Sequence, residues 1–348
     1  MAPHAFITGL SGPSITSNER TFLKETEPWG LILFKRNIST PDQVAALVSS
    51  FREIVGWKAP VLVDQEGGRV QRLGPPHWPV YPAGARYGEL YDQDAELGLA
   101  AARLGGRLIA SDLAPLGIDV DCLPIADVPA SGSDPVIGDR AYGNKPAKVA
   151  AVAAAVADGL QRGGVLPVLK HLPGHGRATA DSHLRLPVVD AGRSELEATD
   201  FAAFRPLNGL PIGMTAHVVF SAIDPVTPAT SSVTMVREVI RGFIGFTGLL
   251  MSDDISMGAL SGTIADRCRA AFAAGCDVVL HCNGKLDEMQ QVAAQAPILV
   301  GESSRRADAA LAARKQPEQF DIEAARNVFT KMIVGERPAA SGMNLHDS

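Results

Sequence analysis

Cysteines are few, aromatic residues are few, and there is neither a block of like charge nor a long apolar run. These shortages bound what the chain can be. The 348 residues include four cysteines, Cys122, Cys268, Cys276 and Cys282, and no two of them are spaced as CxxC. That spacing argues against a disulfide frame and suits buried thiols in a reducing compartment. Aromatics make up 5% of the chain, too few for a broad stacking platform under a polymer. The formal charge is -6 with no cluster of Lys or Arg, which speaks against a nucleic-acid or anionic-membrane partner. No apolar run approaches the roughly 18 residues of a membrane span. The N-terminal stretch has no basic flank, and Gly9 and Gly12 interrupt it, so it does not read as a signal peptide. A cytoplasmic protein is expected. Repeats, long linkers and low-complexity segments are also missing.

What is present is an alternation of short apolar runs with longer amphipathic ones. The strand candidates are residues 5–8, 30–34, 60–63, 118–122, 165–169, 212–215, 248–251 and 277–280. Helix-length stretches follow at 17–27, 41–55, 92–116, 145–162, 193–205, 232–241, 263–274 and 286–296. Thr40-Pro41 supplies a cap residue before a first-turn proline, and Ser17 precedes an acidic first turn. The strands are continuous apolar runs, as parallel strands covered on both faces require. Eight strand–helix units predict an α/β fold, a (β/α)8 TIM-type barrel in a single domain over residues 1–336. An open doubly wound sheet is the structural alternative. Residues 303–334 predict one or two added helices packed on the outside, and 337–348 a disordered tail.

In a barrel of this kind, catalytic groups belong at the C-terminal ends of the strands, and charged residues sit there. The third strand runs into Asp64, then Glu66, Arg69 and Arg72; the fourth leads to Asp127 and a long loop holding Asp134, Asp139 and Arg140. The fifth ends in Lys170-His171, the sixth near His217, the seventh in Ser252-Asp253-Asp254 and the eighth in His281 and Asn283. Charges buried without partners are costly, so convergence on one polar pocket is the economical reading. Structural roles compete with it. Asp64 could cap a turn or pair with Arg69, Glu66 could serve a salt bridge, and Arg140 and Lys170 could be rim ion pairs. His217 and His281 fit satisfied buried histidines. Successive side chains of a strand point to opposite faces, so at most one of Asp253 and Asp254 is expected in the pocket.

The densest chemistry lies in Lys170 to His183, KHLPGHGRATADSH. His171, His175 and His183 raise a metal reading, but Pro173-Gly174 forbids a helix between the first two and no HExxH follows, so no metal is expected. In an extended loop Asp181 and His183 would project to the same side. The carboxylate would then hold one ring nitrogen and leave the other for proton transfer.

LVDQEGGRVQRL, IGDRAYG, KHLPGHGRATADSH, MTAHV and LLMSDDISMGAL, in that order, resemble the motifs of glycoside hydrolase family 3. The likeness is greatest to its single-domain bacterial branch, cytoplasmic β-N-acetylglucosaminidases of peptidoglycan recycling, and covers roughly residues 5–335. The resemblance implies a retaining β-N-acetylhexosaminidase that needs no cofactor and acts as a monomer on N-acetylglucosamine-containing muropeptides. It implies Asp253 as nucleophile, with Asp254 its neighbour, and His183 as acid/base oriented by Asp181. Asp64, Arg72, Arg140, Lys170 and His171 would contact the sugar, with His217 and Met257 as further pocket candidates. Arg177 stands where the family often has Asp, which would alter loop closure or contacts to the leaving group. A β-glycosidase of other specificity, such as a β-glucosidase, and a non-catalytic muropeptide sensor on the same fold remain the alternatives.

Overall fold

Alternate residues of a strand face opposite sides of its sheet, and here that alternation divides the apolar side chains between two cores. In the computed structural model, which describes residues 2–337, the barrel strands are β1 (His4–Thr8), β2 (Pro28–Leu33), β3 (Val61–Val63) and β4 (Val120–Asp121). They continue as β5 (Leu166–Leu172), β6 (Ile212–Thr215), β7 (Leu249–Asp254) and β8 (Val278–His281). All pair in parallel with their sequence neighbours, and β8 closes on β1. Ile7, Leu62, Val120, Val168, Met214, Met251 and Leu280 fill the barrel interior. Phe6, Val61, Leu169, Leu250 and Val279 face the surrounding helices. The closed barrel is the expected one, and it rules out the open sheet.

The helical layer is α1 (Ser17–Thr26), α2 (Pro41–Val55), α3 (Gly84–Gln93), α4 (Ala95–Leu113) and α5 (Pro146–Arg162). It continues with α6 (Arg193–Ala198), a π-helix over Met235–Phe243, α7 (Ile264–Ala274) and α8 (Leu286–Gln295). The differences from expectation have local causes. Thr16, not Ser17, caps α1 in a capping box with Glu19. The helix expected over 92–116 is broken at Asp94, whose carboxylate accepts from Glu96 N and Leu97 N and starts α4 afresh. The helix expected to reach residue 205 ends at Ala198 and gives way to two 3-10 turns, the second holding Pro206, which lacks an N–H and disfavours a helical residue before it. We have no physical account of the π-helix. No helix among the described residues is long and apolar enough to cross a membrane.

The two C-terminal helices correct the expectation that both lie on the outside. α10 (Ile322–Ile333) does pack on α4. By contrast, α9 (Gly301–Ala312) lies across the N-terminal mouth of the barrel, where Ala307 and Ala310 join the interior core. Two buried aspartates clamp this end. Asp277 accepts Leu250 N and Arg241 Nη2 on one oxygen, and Arg306 Nη1 and Ser303 Oγ on the other. Asp119 repeats the arrangement with Val61 N, Arg52 and Arg314. Each carboxylate thus joins a strand start, the preceding helix and the C-terminal extension. Arg337, the first residue of the expected disordered tail, pairs with Asp94; residues 338–348 lie outside the described residues.

A buried carboxylate holding two guanidinium groups leaves both stranded when removed. Asp277→Ala is expected to cost about 3–5 kcal/mol of stability in urea unfolding, with catalytic constants per folded molecule unchanged.

Candidate active site

The strands deliver their polar ends to one cavity of about 480 Å³, whose lining includes Asp64, Arg72, Arg140, Lys170, His171, Asp181, His183, Asp253, Asp254 and Met257. At its floor, Lys170 is 2% exposed and would be untenable alone. Its ammonium lies 3.1 Å from Asp64 and 2.6 Å from Glu66. Arg72 donates to the other oxygen of Asp64 at 2.8 Å, and Arg140 grips Glu66 with two parallel bonds of 2.8 Å. Burial opposes ionisation of both carboxylates, but the cations beside them outweigh it and hold both acids below their usual range. The same carboxylates raise Lys170 despite its burial. Two acids against three bases leave the floor with one excess positive charge.

Lys170 and His171 lie within β5, which runs on to Leu172, rather than after it. His171 Nδ1 bonds Asp127 at 2.7 Å, and Asp127 also accepts the backbone N–H of His175. An ionised carboxylate only accepts, so Nδ1 of His171 carries the proton and Nε2 is free. Burial works against ionisation of Asp127, but His171 and the backbone bonds outweigh it and keep its pKa below the ordinary value.

Asp253 and Asp254 both line the cavity, contrary to the expectation of one. The β7–β8 register shifts between Met251 and Asp254, and this irregularity breaks the strict alternation. Their bonding differs. Asp254 is committed: one oxygen accepts Ser256 N and Cys282 N, the other Ser256 Oγ. Asp253 accepts Asp254 N on Oδ1, and Oδ2 has no bonding partner among the described residues. Burial raises the Asp253 carboxyl, but His217 and His171 outweigh it and keep the group ionised. His217 is fully buried and does not line the cavity. Its Nε2 donates to the Asp254 carbonyl at 3.0 Å and its Nδ1 bonds Thr230.

His183 Nδ1 bonds Asp181 at 2.7 Å, with the ring two-thirds exposed at the cavity mouth. The pairing has a different local origin from the extended loop expected. The segment is a turn: Asp181 Oδ1 also accepts His183 N, and the Asp181 carbonyl accepts Leu184 N and Arg185 N. Arg177 points away from the cavity. It binds Asp200 at 3.0 Å and Glu195 at 2.8 Å, anchoring the base of the loop and making no contact with the lining. Among the described residues no three His, Cys, Asp or Glu side chains gather to hold a metal; Nδ1 of His171 and Nε2 of His175 are already committed.

Reading residues one at a time underweights their partners. Glu66 reads as structural in the sequence, yet it shares Lys170 with Asp64 and lines the cavity. The family resemblance implies no role for Asp127, His175 or Ser182, although the first stands at a strand end and the other two lie in the dense motif. Their signal is a bond, not a residue type.

Comparison with known proteins matches residues 7–311 to the glycosyl hydrolase family 3 N terminal domain. A beta-hexosaminidase of Alkalilimnicola ehrlichii is 42% identical over 279 residues, 79% of each chain. One of Aromatoleum aromaticum is 35% identical over 318 residues, covering 90% of this chain and 89% of its own. The crystal structure of NagZ from Neisseria gonorrhoeae in complex with N-trifluoroacetyl-D-glucosamine superposes with a TM-score of 0.83. It is 32% identical and covers 96% of this chain and 97% of its own.

His175 sets a pH limit on the site. Burial, with His171 beside it, lowers its pKa from the ordinary 6.5 to about 4. The folded state therefore holds this ring neutral while the unfolded chain protonates it. The stabilisation is present above pH 6.5 and is lost as pH falls through about 4. Urea unfolding of the wild type is expected to lose about 3 kcal/mol across that window through this group. His175→Gln should flatten the slope; an unchanged slope would assign it to other groups.

Proposed function

The chain belongs to glycosyl hydrolase family 3 and is a glycoside hydrolase of the β-N-acetylhexosaminidase type. From that premise we propose that it removes non-reducing terminal N-acetylglucosamine from cell-wall muropeptide fragments, with retention of configuration. The observation that carries this reading is the pairing of one uncommitted carboxylate, Asp253, with a His183–Asp181 dyad on the same cavity.

The floor binds the sugar. Lys170, Arg72 and Arg140 present donors to hydroxyl and acetamido oxygens. Asp64 and Glu66 hold those donors in place and accept from adjacent hydroxyls. A site of buried, fixed polar groups rejects analogues that lack the matching groups. His171 adds its free Nε2. The cavity volume is that of a small-ligand site.

Chemistry then takes two steps. Asp253 attacks the anomeric carbon through its free Oδ2 as the glycosidic bond breaks, and His183 gives its Nε2 proton to the leaving oxygen. In the second step His183 takes a proton from water, which displaces Asp253 and restores it. Asp181 accepts from Nδ1 of His183 throughout, fixing the tautomer and stabilising the imidazolium. This replaces the usual carboxylic acid/base of a retaining glycosidase with a histidine. Residues up to 336 act as one catalytic domain in this reading, as a cytoplasmic monomer in cell-wall recycling, and Arg177 affects loop anchoring instead of the leaving group.

Asp253→Asn is expected to lower kcat on the order of ten-thousandfold with thermal unfolding unchanged. A 2- or 5-fluoro glycosyl donor should leave its label on the peptide bearing Asp253; a label on Asp254 would reverse the assignment. Parallel assays on nitrophenyl N-acetylglucosaminide and nitrophenyl glucoside should favour the former strongly, and preference for the glucoside would overturn the specificity.

A further inference from the structure

A mobile surface loop would place His183 poorly, yet the turn that carries it is held by another loop. The segment after β7 is rigid by its bonding. Arg267, from α7, donates to the carbonyls of Ile255 and Met257. The Asp254 side chain binds Ser256 and Cys282, and His217 holds the Asp254 carbonyl. From this frame two backbone donors reach the acid/base turn. Ala259 N donates to the Ser182 carbonyl at 3.1 Å, and Gly258 N to the His183 carbonyl at 3.3 Å. A third tie comes from below, where His175 Nε2 and Ser182 Oγ lie 3.0 Å apart, both residues buried. The approach at Gly258 admits no side chain: a Cβ there would stand 2.8 Å from the His183 carbonyl oxygen and 3.1 Å from that of Leu184.

We propose that Gly258, Ala259 and Ser182 are positioning residues that seat His183 over the cavity, so that the loop carrying Asp253 also fixes the place of its acid/base partner. The proposal rests on the reading of His183 as acid/base. It gives the glycine a specific task. Nucleophile and proton donor must stand a set distance apart, and two backbone hydrogen bonds from one rigid segment set it more firmly than the long loop from β5 does alone. Displacement of a catalytic group by about 1 Å costs on the order of a hundredfold in rate.

The test is the dependence on leaving group, which a merely structural residue would not move. kcat/KM reports the step in which the glycosidic bond breaks. It is measured on an N-acetylglucosaminyl disaccharide, whose leaving sugar needs a proton, and on 2,4-dinitrophenyl N-acetylglucosaminide, whose leaving group does not. His183→Ala serves as reference. Gly258→Ala is expected to lose about tenfold or more on the disaccharide and less than about threefold on the dinitrophenyl substrate. Ser182→Ala should shift the ratio in the same direction and, adding no atoms, keeps the test decisive if Gly258→Ala fails to fold. If His183→Ala shows the selective loss and both positioning variants keep the wild-type ratio, the proposal is overturned while the acid/base assignment stands. Equal losses on both substrates in His183→Ala would remove that assignment, and this inference with it.

Discussion

A lysine buried at the end of a barrel strand is the constraint from which the active-site end of this molecule follows. Lys170 has almost no contact with solvent, and an ammonium so placed must be met by carboxylates. Two meet it, Glu66 on the short hairpin after β3 (Gln65–Gly67 with Val70–Gln71) and Asp64 at the junction just before it. Those carboxylates in turn need their outer oxygens satisfied, which fixes Arg72 from the same hairpin and Arg140 from the long loop after β4. One buried charge therefore ties three strands and their loops together. The hairpin's own fold serves this end. Gln65 is fully buried, its side chain accepts Arg72 N and Leu73 N, and its backbone N–H reaches Asp121.

The network also fits the sugar-binding role proposed for the cavity. Ion pairs of this kind add little net stability once desolvation is counted. What they do provide is a set of hydrogen-bond donors and acceptors whose directions cannot drift. A sugar presents many weak, directional groups, and such a floor discriminates among them at no reorganisation cost on binding. The N-terminal mouth of the barrel is closed by α9 and held by Asp119 and Asp277, each with two arginines. The two ends are built from the same residue types to opposite purposes. At one the charges are saturated and covered; at the other they face an open cavity.

Much of this was legible in the amino-acid order, because much of it rests on local rules. The eight strand candidates coincide with the barrel strands to within a few residues, since continuous apolar runs bounded by helix-length segments have few other solutions. Charged residues at strand ends pointed to one cavity for the same reason. What escaped was relational. Whether α9 lies beside the barrel or across its mouth depends on Asp277 finding Arg306 within α9 and Asp119 finding Arg314 just after it, the latter a partner far along the sequence. That both Asp253 and Asp254 face the cavity depends on a register shift between β7 and β8, which strict alternation cannot foresee. The spacing of Asp181 and His183 suits an extended loop, but an Asp-capped turn produces their pairing.

The adjacent aspartates show how one segment can supply both reactivity and rigidity. Asp254 spends both oxygens on Ser256 and Cys282. Its effect is to freeze the loop that follows β7. Asp253 keeps one oxygen free because its neighbour has taken over the structural bonding. The frozen loop then offers Gly258 N and Ala259 N to the turn bearing His183. A carboxylate with a free oxygen, a fully bonded carboxylate and two docking amides thus occupy a run of seven residues, Asp253 to Ala259. Since a displacement of the β7 loop would carry Asp253 and the docked turn together, their separation is less sensitive to motions of the barrel rim than if each loop stood alone. In the proposed mechanism that coupling, more than the identity of any one side chain, would let a histidine on a long loop serve as the proton donor.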